Sequence, residues 1–179
     1  MTNLKLQIIF IFCSYALQAL SPASALGITD DWMGAWLGSC QISHTNSPGV
    51  TRQILMQLRV SKEGPGILAW KIQYENEGVR DYKMIRNTSN PTLWVLDEQN
   101  GILIDRSFDS STQTLTDFYT VNERFFISKM KLIGSNLQIE SDSYPVNQFR
   151  SSGIPSRNVL VRSFSPGTKQ ICQLTKEEF

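Results

Sequence analysis

The sequence predicts an all-β protein: an antiparallel up-and-down meander of about ten strands, closed into a barrel. Three observations predict it. Apolar and polar residues alternate in about eleven short runs. Nearly every joint between runs carries glycine, proline, asparagine or serine. No segment shows a sustained 3.6-residue period with helix caps.

The segment 1–25 stands apart from this pattern. It holds one charge, Lys5, then an apolar stretch from Leu6 to Leu17, then Ser21-Pro22 and Ala23-Ser24-Ala25. A positive start, a short apolar core and an A-x-A site read as a secretory signal peptide cut after Ala25. The apolar stretch is shorter than the roughly 20 residues a spanning helix needs. The protein is therefore expected to be exported, to the periplasm or the extracellular space. Residues 26–179 are expected to form a single barrel domain, with no membrane insertion once the signal is gone.

The first run is 32–44. The second, 51–60, sets Ile54, Met56, Leu58 and Val60 against Gln53, Gln57 and Arg59. The third, 67–74, sets Leu68, Trp70, Ile72 and Tyr74 against Lys71 and Gln73, and Glu63-Gly64-Pro65-Gly66 between them is a turn. Further runs follow at 79–87, 92–98, 101–109, 113–121, 124–133, 136–144, 157–164 and 168–175. Asn100-Gly101 is the strongest hairpin signal, because a type I′ turn needs positive φ at both central positions. The stretch 145–156, rich in Ser, Gly and Pro, reads as a loop or lid.

So many twisted strands do not stay open and flat. They close into a barrel or split into a sandwich. The cysteines favour closure. Signal removal leaves Cys40 and Cys172, near opposite ends of the chain and in an oxidising compartment. In a meander barrel the first and last strands are neighbours, and Cys40 shares a face with Trp36 and Ile42 as Cys172 does with Leu174. A disulfide across the seam is expected, two buried thiols being the alternative.

Gly34-Ala35-Trp36-Leu37-Gly38 resembles the G-x-W opening of the calycin barrels: lipocalins, fatty-acid-binding proteins and nitrobindin-like proteins. The resemblance implies that Trp36 closes one end of the barrel from inside and that a basic residue of a late strand packs on its ring. Arg162 is the candidate for that cation–π contact. Thr116-Asp117-Phe118 is similar to the T-D-Y motif of lipocalins, without the helix that follows it there. Against nitrobindin-like proteins, Cys40 stands where a further glycine is expected. Their haem-binding histidine near the C-terminus is missing, so no haem or other cofactor is expected.

Lys+Arg 17 against Asp+Glu 16 argues against nucleic acid or an anionic membrane as the main partner. The single histidine, His44, and two cysteines are too few for a zinc site, so no metal is expected. No serine lies in a G-x-S-x-G elbow, and no catalytic residue is assigned.

Arginine on apolar faces is the remaining signal. Arg106 lies between Ile104 and Phe108, and Arg80 and Arg86 flank Tyr82 and Met84. An inward guanidinium requires a carboxylate, water or an anionic ligand. The expected function is a non-enzymatic barrel binding a small hydrophobic or amphipathic molecule in its interior, with or without a carboxylate. Trp36, Trp70, Tyr82 and Trp94 would line or close its cavity, with Arg106 and Arg162 as polar contacts. The alternative is a protein-binding module, such as an inhibitor of an extracellular enzyme, acting through its turns and the 145–156 loop.

Overall fold

The computed structural model describes residues 27–45 and 51–178; the signal peptide expected over 1–25 lies outside the described residues. A 3₁₀ turn, Asp30–Trp32, precedes β1 (Gly34–His44), β2 (Thr51–Gly64), β3 (Ile67–Tyr74), β4 (Arg80–Arg86), β5 (Leu93–Asp97) and β6 (Leu103–Asp109). Then come β7 (Thr114–Val121), β8 (Arg124–Ile133), β9 (Asn136–Pro145), β10 (Phe149–Ile154), β11 (Val159–Phe164) and β12 (Thr168–Lys176). Ten of these strands close a barrel in the order β1-β12-β9-β8-β7-β6-β5-β4-β3-β2. Every pairing is antiparallel. The expected meander is therefore present, with one detour.

That detour corrects two expectations. The 157–164 run is not a barrel strand. Its β11 pairs with β10, from the stretch expected to be a loop, and together they form a separate two-stranded sheet. Alternation announces a strand but not its partner, and β12 takes the place beside β9. The turn at Asn100-Gly101 also differs: positive φ falls at Gln99 and Gly101, so the loop between β5 and β6 is longer than a two-residue type I′ turn.

β1 and β12 close the barrel, with Cys40 directly opposite Cys172. The two form a disulfide, their Cα atoms 3.9 Å apart. The strands approach closely here because Gly38 has no side chain: a Cβ on it would lie 1.9 Å from the Gln173 carbonyl oxygen.

Alternation sends the apolar residues inward. At the end where β1 begins, Trp32, Trp36 and Trp70 are fully buried. The 3₁₀ turn drives Trp32 into this end, with its ring 6.3 Å from Trp70 and 6.1 Å from Phe108. Trp32 Nε1 donates to Gln113 Oε1 at 3.0 Å, and Trp36 Nε1 donates to the Trp32 carbonyl at 3.0 Å. The indoles plug the barrel; the N–H groups of Trp32 and Trp36 are satisfied, whereas the buried Trp70 Nε1 has no hydrogen-bond partner among the described residues. The basic residue over Trp36 is Lys176, its Nζ 5.3 Å from the ring centre, not Arg162.

Candidate ligand-binding mouth

Strands alternate in direction, so the starts of β2, β4, β6, β8 and β12 gather at the end opposite the indole plug. Here the inward side chains are only partly covered. Ile54, Ile72, Tyr74, Tyr82 and Tyr119 pack on the core from one side and are open on the other. Phe126 is the cross-strand partner of Tyr119, and their rings stack 5.1 Å apart. This is the apolar wall of the mouth.

The facing wall, from β1, β8, β9 and β12, is polar. Arg124 opens β8 on the inner face, two residues before Phe126. Its Nη2 donates to Ser143 Oγ at 2.6 Å and lies 3.5 Å from Thr168 Oγ1. His44 Nδ1 lies 3.1 Å from the same Thr168 hydroxyl. His44, Arg124, Gln148 and Thr168 line a cleft of ≈ 310 Å³ at this rim. A Cβ on Gly167 would come within 2.8 Å of Arg124 Nη2, so the glycine leaves room for the guanidinium. Among the described residues, the ion pairs engage Asp30, Glu63, Glu77, Asp81 and Asp117, and none includes Arg124. Arg124 meets hydroxyls but no carboxylate.

Burial governs the phenols. The Tyr119 hydroxyl is pushed up to about 12, first by burial and then by the Asp117 charge. Tyr82 is also raised, by burial first and the Glu98 charge next, against the pull of Arg80. Both are therefore neutral hydrogen-bonding groups at physiological pH. Arg80 sits over Tyr74, 5.1 Å from the ring centre, and pairs with Glu77 at 2.6 Å.

Below the mouth, Arg106 meets Asp117, its direct partner across β6 and β7. Arg106 Nε lies 2.9 Å from Asp117 Oδ2 as an ion pair without an aligned N–H···O bond. The guanidinium also lies 5.8 Å from the Trp70 ring centre and 3.7 Å from Met84 Sδ. Burial pushes the Asp117 carboxyl above the usual carboxylate range, against the opposing pull of Arg106. Thr116-Asp117-Phe118 thus places Asp117 inside the barrel and Phe118 outside it, 59% exposed.

Of the residues singled out in the sequence, Tyr82 stands at the mouth. Trp36, Trp70 and Trp94 are buried beneath it, and Arg106 faces a carboxylate of the chain itself. Arg162 is exposed on β11, its guanidinium 4.9 Å from the Phe149 ring centre. Tyr74, Tyr119, Phe126, Arg124, Ser143 and Thr168 were not singled out. Arg124 and Phe126 share an inward parity with Met130 and Leu132, and that pattern is visible in the sequence.

No family model and no curated protein matches the chain. Solved structures do. The S-type phycobiliprotein lyase CPES from Guillardia theta superposes with a TM-score of 0.53 at 5% identity, over 84% of this chain and 90% of that one. Rv2717c from M. tuberculosis superposes with a TM-score of 0.56 at 13% identity, over 88% of this chain and 100% of that one. The first corrects the expectation of a non-enzymatic protein: this barrel architecture is shared with a protein named as a lyase. Identities this low speak to fold alone. The closed ten-strand barrel and these two likenesses together give the chain a calycin-like fold.

Proposed function

We propose that the protein binds a small amphipathic acid at the open end of its barrel. The ligand's apolar body lies against Tyr74, Tyr82, Tyr119 and Phe126, and its acid group meets Arg124. The buried Trp36, Trp70 and Trp94 form the floor. The observation that carries this reading is the asymmetry of the inner face, which is sealed by indoles at one end and left half-covered at the other. Binding sites of this kind are apolar surfaces with a few placed polar groups, and Arg124 offers a planar fork with no carboxylate of its own. Arg106 we assign to the architecture, since Asp117 already answers its charge. Export to the periplasm or extracellular space is part of the proposal. It is supported by the disulfide and by the signal-like segment 1–25.

The test is calorimetric titration with saturated and unsaturated fatty acids, on wild type and Arg124→Gln. Losing a charge-assisted contact should weaken binding by about 1.5–3 kcal/mol. The melting temperature should hardly move, because Arg124 answers no buried charge. Equal affinities for the two proteins, or no binding by wild type, would reject the reading.

A further inference from the structure

The β10–β11 hairpin projects from the same end of the barrel as the mouth, between the end of β9 and the start of β12. Every described residue of its two strands is exposed. An isolated two-stranded hairpin is marginally stable in water, so this one exposes its surface at a cost. The register shows what it exposes. Directly opposed residues share a face, so Phe149, Phe164, Arg162 and Leu160 lie on one side. Arg150, Ile154, Val159 and Val161 lie on the other. Leu160, near the turn, is 66% exposed.

Charge adds a second, independent feature. The segment 145–167 contains Arg150, Arg157 and Arg162 and no Asp, Glu or Lys. The rest of the chain is close to balanced, so whole-chain charge hides this local excess.

We infer that the hairpin docks on an anionic lipid surface, the apolar side chains that flank its turn entering the interface and its arginines meeting the headgroups. A flat protein partner covers one face of a hairpin and leaves the other wet. A lipid interface surrounds both faces at once, which fits apolar side chains on both sides. Arginine stems lie along apolar surface while their heads reach phosphates, and arginine fits a phosphate in two-point contact. The hairpin is too short for its unpaired strand edges to enter the hydrocarbon core without leaving polar backbone groups unsatisfied. It therefore rests in the interface and does not span. Docking in this way turns the mouth toward the lipid, where amphipathic acids partition. That last step, exchange of ligand with the surface, rests on the function proposed above; docking itself does not.

The experiment is co-sedimentation of the purified protein with vesicles of phosphatidylglycerol and phosphatidylcholine, and with vesicles of phosphatidylcholine alone. No fatty acid is added, so failure here leaves the ligand reading standing, and failure of the ligand titration leaves this one standing. Wild type should bind the anionic vesicles and release them as salt rises. Each arginine near such a surface is worth about fivefold in affinity, so Arg150→Gln, Arg157→Gln and Arg162→Gln together should lose about a hundredfold. Leu160→Asp should lose at least tenfold. Ile133→Asp, on an exposed outward side chain at the plug end of the barrel, should bind as wild type does. Comparing variants of one chain cancels any contribution of the segment 1–25. All these residues are exposed, so the fold should persist, and thermal melts confirm it. Hairpin variants that bind as wild type does would overturn the inference. So would a wild type that ignores both vesicles, leaving an acidic protein surface as the partner its charge fits.

Discussion

Arg106 Nε lies 2.9 Å from Asp117 Oδ2, and the two residues face each other across β6 and β7 with 9% and 3% exposure. Removing one member of such a pair strands the other charge in apolar surroundings, typically at a cost of about 3–5 kcal/mol. Arg106→Met keeps a long stem and removes the charge. It is expected to lower stability by that amount in urea melts at neutral pH. A variant as stable as wild type would show that Asp117 does not need its partner.

The same variant should respond to pH. Burial holds the folded-state pKa of Asp117 above its ordinary value, so folding favours the protonated acid. The benefit is complete below the unfolded value of about 3.9 and is lost as pH rises through the folded value. Removing Arg106 removes the main opposing pull and extends that window upward. Arg106→Met should therefore regain part of its lost stability on acidification from pH 7 to pH 4. A deficit that stays constant over this range would place its origin elsewhere.

Tyr119 gives a second titration. Its phenol is raised from 10.0 to about 12, burial being the larger cause and the Asp117 charge the next. An acid with a raised folded pKa loses stability as pH climbs above its unfolded value. Ultraviolet titration should show a tyrosine ionising near 12, and it should vanish in Tyr119→Phe. Wild-type stability should fall above about pH 10 more steeply than that of the variant. Identical titration curves for the two proteins would contradict the burial of this hydroxyl.

The disulfide joins residues separated by 132 positions. Closing so long a loop stabilises by about 5 kcal/mol in the chain-entropy model. Cys40→Ala with Cys172→Ala should lose about that much, read as a lower denaturant midpoint. Wild type in reductant should match the double variant. If reduction leaves the midpoint unchanged, the bridge contributes nothing to stability.

Gly38 tests the seam from the other side. An added methyl would sit 1.9 Å from the Gln173 carbonyl oxygen, which belongs to backbone and cannot swing away. Gly38→Ala should force β1 and β12 apart at a cost of about 3 kcal/mol. Amide exchange in β12 should accelerate more than in β5, on the far side of the barrel. Uniform exchange across the sheet would argue against local strain at the seam.

The ten barrel strands, their inward faces, their antiparallel order and the pairing of Cys40 with Cys172 were legible in the sequence, whereas β10, within the stretch that reads as a loop, was not. Alternation with period two assigns each side chain to a face, and short turns make sequence neighbours into spatial neighbours. Those rules are local. They do not say which residue of one strand lies opposite which residue of the next. Only the closed barrel decided that Asp117 faces Arg106, that Lys176 covers Trp36, and that Arg124 meets Ser143 and Thr168 at the mouth. Only the closed barrel sent β11 out to pair with β10. The physical reason is that register and stagger belong to the whole sheet at once: shifting one strand by a residue turns its entire core face to solvent, so all ten strands settle these contacts together.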